Sequence, residues 1–464
     1  MNFIFLISVI LKGIGALLEI LLQILITKEI GVSGYGTYAT WINAADLLFW
    51  ILFSGVVKCN TFYLSDKSII IGKFKRKYYG FYVLPFLAIA TIAAIIITKT
   101  VIPCFVLIIV GLELLVLDYS STLIARGKPI KSLVGEYMLG RLVLVIGIVL
   151  LRSAGCLHVH LLVMLYIIQY VMILLFFLIR SDRREVVYND ISKDVSLKKW
   201  GAYQRADLMH SMIEQMPVVL QYFFSGAFEA GVVSVILLVK KLIGFISGPT
   251  AKIFLPEFSR LYHAGDNQKI RSSYASIMRI QMLVVGPLAV VLLGYPRVVL
   301  KILASELIQY TTLFMMCATI FLLVATLGPC GGILQMTGNE KKDNRCREIA
   351  LVVMCLVMIL THKDPYFVLY GLCVQVALEA VMKYSVVCRW MKKTPISLCT
   401  YLKWWIIPCV LIGITYLFSL QNSFEGMILT AGMVFAVSLI RELRCNESDF
   451  WNKLKRKPVD TIDK

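Results

Sequence analysis

About fourteen apolar runs, each near the roughly 20 residues that a helix needs to cross a bilayer core, constrain the fold of this chain more than any other feature. They cover approximately 3–26, 38–57, 79–98, 101–125, 133–151, 160–179, 206–224, 230–258, 274–293, 311–336, 348–361, 365–388, 401–420 and 424–440. No water reaches a membrane core to satisfy backbone N–H and C=O groups, so runs of this kind fold as helices. With 59% hydrophobic residues and a mean hydropathy of +0.80, a soluble protein is excluded and an all-α, polytopic membrane protein is expected.

The formal charge of +19 would point to nucleic acid in a soluble chain, but its placement has another cause. If both termini are cytoplasmic, the inner segments hold 34 Lys and Arg and the outer segments six, the bias that sets orientation in membranes. Membrane lipids, and not nucleic acid, are therefore the expected surroundings. The longest inner connection is polar and divides six runs from eight. This predicts an N-terminal six-helix lobe at 1–180, a cytoplasmic linker at 181–205, a second six-helix lobe at 206–390, two additional helices at 391–440 and a cytoplasmic basic tail at 441–464. Lys12 and Glu19 interrupt the first run and no small-residue cleavage site follows it, so a removable signal peptide is not expected. In the outer loop at 294–310, the apolar stretch 298–303 is expected to form a small interfacial helix.

The 12 cysteines are scattered through apolar runs without metal-ligand spacing and read as small buried hydrophobes. His158 and His160 form a lone HxH, too few ligands for a stable metal site. There is no phosphate-binding GxxxxGK[ST] loop, no HExxH and no GxSxG, so neither an enzyme nor an ATP-driven pump is expected, and no cofactor.

Fifteen ionisable residues fall inside the runs: Lys12, Glu19, Asp46, Glu113, Asp118, Glu136, Arg141, Asp207, Glu214, Lys240, Lys241, Lys252, Arg279, Glu379 and Lys383. A charge facing lipid at the bilayer centre costs about 2.5–3.5 kcal/mol even on lenient scales, so these residues must meet protein or water. Glu379 and Lys383, four apart with the acid first, are expected to form a local salt bridge. Asp118 and Arg141 lie at a common depth in neighbouring runs, which predicts an interhelical ion pair or a substrate contact; Arg279 is a further candidate phosphate ligand or ion-pair partner. Lys12, Glu19, Asp46, Asp207, Glu214, Lys240 and Lys241 cluster on the first, second, seventh and eighth runs and are expected to share a polar cavity that binds substrate or gates access to it.

Those four runs are related to one another. Aligning Gly31 and Gly36 with Gly226 and Gly231 gives an offset of 195, which also carries Lys12 onto Asp207, Glu19 onto Glu214 and Asp46 onto Lys241. Repeated halves with a midplane site between them are common among transporters. A pseudo-two-fold relation lets equivalent residues face each other, so Lys12 is expected to approach Asp207 when the inner side closes, and Asp46 to approach Lys241 when the outer side closes.

Several stretches resemble one family. The turn 28–39, Lys-Glu-Ile-Gly-Val-Ser-Gly-Tyr-Gly-Thr-Tyr-Ala, resembles the turn after the first helix of bacterial polysaccharide flippases, the O-antigen and capsule exporters of the multidrug/oligosaccharidyl-lipid/polysaccharide exporter superfamily. Gly231 to Asp266, with Leu255-Pro256-Glu257-Phe258-Ser259-Arg260-Leu261, is similar to that family's seventh-to-eighth helix region, and 294–303 and 332–342 fit their places in it. The resemblance covers about nine tenths of the chain. It implies two six-helix lobes around a central cavity, two further helices, and passage of an undecaprenyl-pyrophosphate-linked oligosaccharide from the cytoplasmic to the outer leaflet of the bacterial inner membrane. Polysaccharide polymerase and glycosyltransferases are the partners it implies. One departure stands out: the four cavity-lining runs hold Lys12, Lys240, Lys241 and Lys252 against Glu19, Asp46, Asp207 and Glu214, where a strongly cationic cavity would suit an anionic lipid carrier. A cation-coupled multidrug antiporter is the alternative from the same superfamily. A membrane polysaccharide polymerase is the alternative from another class, and outer loops no longer than about 17 residues argue against it.

Overall fold

The structure is a computed structural model that describes residues 3–53, 55, 60, 69–70, 79–98, 102–125, 128–179, 189–190 and 197–444. It is helical almost throughout. In chain order the main helices are α1 (Phe3–Phe53), α2 (Leu84–Thr98), α3 (Ile102–Ala125), α4 (Gly140–Ser153), α5 (Val159–Ile179), α6 (Leu197–Ser225), α7 (Ala227–His263), α8 (Asn267–Ala289), α9 (Thr311–Thr326), α10 (Glu340–Leu360), α11 (Phe367–Met391), α12 (Leu398–Leu417) and α13 (Phe424–Arg444). Short π-helical turns at Tyr79–Val83, Val134–Leu139 and Val290–Gly294 lead into α2 and α4 and follow α8.

Seven stretches among the described residues are long and apolar enough to cross a membrane: Cys104–Ala125, Ile130–Ser153, Val159–Ile179, Asn267–Gly294, Ser305–Met336, Phe367–Met391 and Leu398–Leu417. Each falls on an apolar run read from the sequence. The clustered charges lie on α1, α6 and α7. Two of these helical regions are broken by a glycine at equivalent places. α1 breaks into two arms at Gly31, with φ 72° and ψ 172°, and α6 is parted from α7 by Gly226, with φ 110°. Both values lie where a Cβ clashes with the backbone, so glycine is what lets the chain turn there. Pro217 lies within α6 without ending it.

The chain divides into two compact units, one formed by Ile4–Ser234 and the other mainly by Val235–Lys464. In the first, α3 packs between α2 and α5, and α4 lies against α5. Gly135, Gly140 and Gly147 face Phe177, Ile173 and Leu165 of α5 with no room for a side chain, which is how helices approach closely where lipid supplies no hydrophobic drive. A two-residue parallel pairing joins Ile69–Ile70 to Asn189–Asp190. In the second unit α8 is central and packs against α9, α12 and α13, while α10 and α11 form an antiparallel pair. Its core holds Phe258, Tyr274, Met278, Met282, Ile333, Leu334 and Trp404. The predicted interfacial helix is present at Pro296–Leu303, seated on Val290, Tyr295, Met427 and Val434. Most of the 181–205 connection and the tail beyond Arg444 lie outside the described residues.

Candidate functional site

Polar side chains gather inside each unit. In the first, Glu19 on the first arm of α1 reaches Arg141 near the start of α4, with Oε2 2.9 Å from Nε. The two side chains are 22% and 27% exposed, so they are held within the helices yet reached by solvent. Three buried tyrosines surround Arg141 electrostatically: Tyr38 on the second arm of α1, and Tyr166 and Tyr170 on α5. Their rings make an edge-to-face series, with centroids 6.5 Å apart for Tyr38 and Tyr166 and 5.3 Å apart for Tyr166 and Tyr170. Beside them Glu113 of α3 is 5% exposed and has Asp46 and Glu136 as electrostatic neighbours. Among the described residues, four carboxyls, on Glu19, Asp46, Glu113 and Glu136, thus share this interior with the guanidinium of Arg141.

This arrangement corrects one expectation. Arg141 pairs with Glu19 and not with Asp118. Asp118 instead accepts a hydrogen bond from Asn60 Nδ2 at 2.6 Å, while Asn60 also bonds Ser121. Common depth in two helices predicts the pair, but residues meet only when they also face one another, and depth along a helix does not set facing direction.

In the second unit Lys383 Nζ lies 2.6 Å from Glu379 Oε1, the salt bridge expected from the four-residue spacing, and 2.6 Å from Asp343 Oδ1. Arg347 completes a ring of two acids and two bases through Glu379 and Asp343, at 3.4 and 3.8 Å. Gln335 donates to Asp343 and Gln375 to Glu379. Asp343 is 0% exposed, and Gly331 passes so close that a Cβ would stand 3.0 Å from Asp343 Oδ1. The network is charge-balanced and tightly enclosed, and it ties the short helix Cys330–Met336 to α10 and α11. Asp343 and Arg347 lie between the apolar runs 311–336 and 348–361, so their part in it was not expected.

The remaining sequence-predicted residues are distributed as follows. Glu214 is half-buried on α6; Lys240 is half-buried on α7 with Cys373 of α11 as an electrostatic neighbour; Lys241 is exposed; Arg279 is half-buried on α8. The side chains of Lys12, Asp207 and Lys252 lie outside the described residues. Among the described residues no group of three or more His, Cys, Asp or Glu is arranged to hold a metal ion.

No protein-family model and no curated protein sequence matches the chain. Solved structures do. Lipid II flippase MurJ in an inward closed conformation is similar at 14% identity and a TM-score of 0.66, covering 98% of this chain and 100% of its own. An inward-facing multidrug resistance MATE family transporter of the MOP superfamily is similar at 14% identity and a TM-score of 0.58, covering 80% and 94%. A MOP superfamily transporter from Pyrococcus furiosus with a binding pocket of reversed polarity gives 12% identity, a TM-score of 0.55 and coverage of 84% and 95%. The chain has the polytopic all-α fold of the MOP superfamily transporters.

Proposed function

We propose that the protein is a flippase that moves an undecaprenyl-pyrophosphate-linked oligosaccharide from the cytoplasmic to the outer leaflet of the bacterial inner membrane by alternating access, in the synthesis of O-antigen or capsule. The observation that carries the reading is the extent of the structural likeness. The lipid II flippase matches 98% of the chain, whereas the multidrug resistance MATE family transporter, matched over 94% of its own length, covers 80%. The ordered family-like stretches at 28–39, 231–266, 294–303 and 332–342 support the same reading and supply the oligosaccharide as cargo. Polysaccharide polymerase and glycosyltransferases are the partners proposed with it.

In this reading Lys12, Glu19, Asp46, Asp207, Glu214, Lys240 and Lys241 serve the path of the substrate, and the pairs Lys12–Asp207 and Asp46–Lys241 close its inner and outer sides in turn. Deletion of the protein should leave lipid-linked oligosaccharide on the cytoplasmic face while sugar transfer onto it continues. Normal surface polysaccharide in a deletion strain with no redundant transporter would refute the reading. The same strain complemented with Asp46→Asn, Lys241→Met or both tests the outer pair, because strictly additive losses mean that the two charges do not meet.

One observation favours a second reading. Among the described residues around Arg141, four carboxyls against its one guanidinium suit a cation better than a pyrophosphate. A cation-coupled multidrug antiporter would use that excess directly, and would protect cells from cationic drugs while leaving surface polysaccharide unchanged.

A further inference from the structure

Gly36 and Gly231, the second glycines of the two related turns, meet in the structure. A Cβ on Gly36 would overlap the carbonyl oxygen of Ala227 and crowd the amide nitrogen of Gly231, and a Cβ on Gly231 would overlap the carbonyl oxygen of Val32. The offset of 195 carries Val32 onto Ala227 and Gly36 onto Gly231. Contact is therefore reciprocal: the glycine of each repeat touches, in the other, the residue four positions before that repeat's own glycine. Reciprocity of this kind marks a two-fold axis, here local and within one chain. Both contacts run through backbone atoms, with the Val32 side chain also against Gly231, and Ala227 and Gly231 give the second segment the small-xxx-small pattern of close helix approach. Slightly further along, the rings of Trp41 and Tyr222 lie 6.3 Å apart.

We propose that the Val32–Gly36 and Ala227–Gly231 crossing is the seal on the outer side of the transport path, and that it parts each time that side opens. The inference rests on alternating access and on the orientation with both termini inside. An axis between two repeats is where they can rock against each other without deforming either. At the two glycines the contact is van der Waals surface, with no side-chain ion pair to break when it separates. The positive-φ glycines Gly31 and Gly226 sit five residues before the crossing glycines in both repeats, so each crossing segment begins at a break in the helix.

The test uses the full chain in membrane vesicles, with its 12 cysteines replaced and Trp41→Cys and Tyr222→Cys introduced. A short bis-thiosulfonate reagent, which forms a disulfide with each cysteine as sulfinate leaves, should cut transport to less than a tenth when it bridges the two, and reduction of the bridge should restore it. Ser234→Cys, buried one turn beyond Gly231, reports the seal whatever the cargo is. Its alkylation by an impermeant reagent added outside should fall at least tenfold when the bridge is present. Gly36→Ala without the bridge should raise that alkylation. Transport that continues with the bridge in place, or alkylation of Ser234→Cys at the same rate with and without it, overturns the proposal. Surface polysaccharide reads the cargo separately, so failure of the flippase reading and failure of the seal give different results.

Discussion

The contact between Glu19 and Arg141 shows how a charge inside a membrane helix is made tolerable: a partner on a neighbouring helix supplies what water would otherwise supply. Removing one partner of such a pair leaves the other uncompensated, at a cost of roughly 2 kcal/mol or more for side chains that solvent still partly reaches. Glu19→Gln and Arg141→Met are each expected to lower the midpoint of thermal unfolding in detergent, and the double variant to lose less than the two together. Additive losses would show that the pair contributes nothing beyond its members. Sequence made Glu19, Asp46 and Arg141 visible as candidates because a charge in an apolar run is conspicuous. It did not show that Arg141 faces Glu19 and three tyrosines, because depth along a helix follows from residue number while facing direction depends on how the helices pack. The tyrosines gave no signal of their own, since aromatic residues in apolar runs are ordinary core.

At the scale of elements, the apolar runs became helices close to where they were read, and the glycines decide where those helices break. Gly31 has nothing within 4 Å of an added Cβ, so its requirement is conformational: φ 72° with ψ 172° is open to glycine and to little else. Gly13, in the same helix and with equally open surroundings, has no such requirement. Gly31→Ala should therefore destabilise the protein by about 1–3 kcal/mol. Gly13→Ala should be neutral or stabilising by up to about 1 kcal/mol. Equal unfolding midpoints for the two variants would mean that the chain does not break at Gly31. The ring of Asp343, Arg347, Glu379 and Lys383 shows the limit of element-level reading. Its Glu379–Lys383 edge is a spacing of four within one apolar run and was legible; its Asp343–Arg347 edge is also a spacing of four on one helix but lies between runs, and its two remaining edges join residues 32 and 40 positions apart, whose meeting depends on how α10 packs on α11.

At the scale of the whole molecule, the sidedness read from charge can be set against contacts that the reading did not use. Arg152 pairs with Glu29 at 2.8 Å, and Tyr310 stacks edge-on against Tyr366; all four lie in segments read as outer or at the outer end of a span. Ile69–Ile70 pairs with Asn189–Asp190, Lys131 donates to the Phe177 carbonyl, and Arg271 donates to the Thr394 carbonyl, all in segments read as inner or at the inner ends of spans. Each contact lies within one unit, and each requires an even number of crossings between its partners. A missed or surplus span between them would have put the partners on opposite faces of the membrane. The contacts fix which segments share a side, but they are silent on which side is cytoplasmic; only the 34 to six distribution of Lys and Arg speaks to that. A reporter active only in the cytoplasm, fused at Asn189, should therefore be active, and one fused at Arg297 should be silent. Because Asn189 pairs with Ile69, a fusion at Ile69 should agree with the one at Asn189. Disagreement between those two would break the count of spans from 79 to 179, whereas a uniform reversal at all three sites would leave the fold intact and invert the direction proposed for transport.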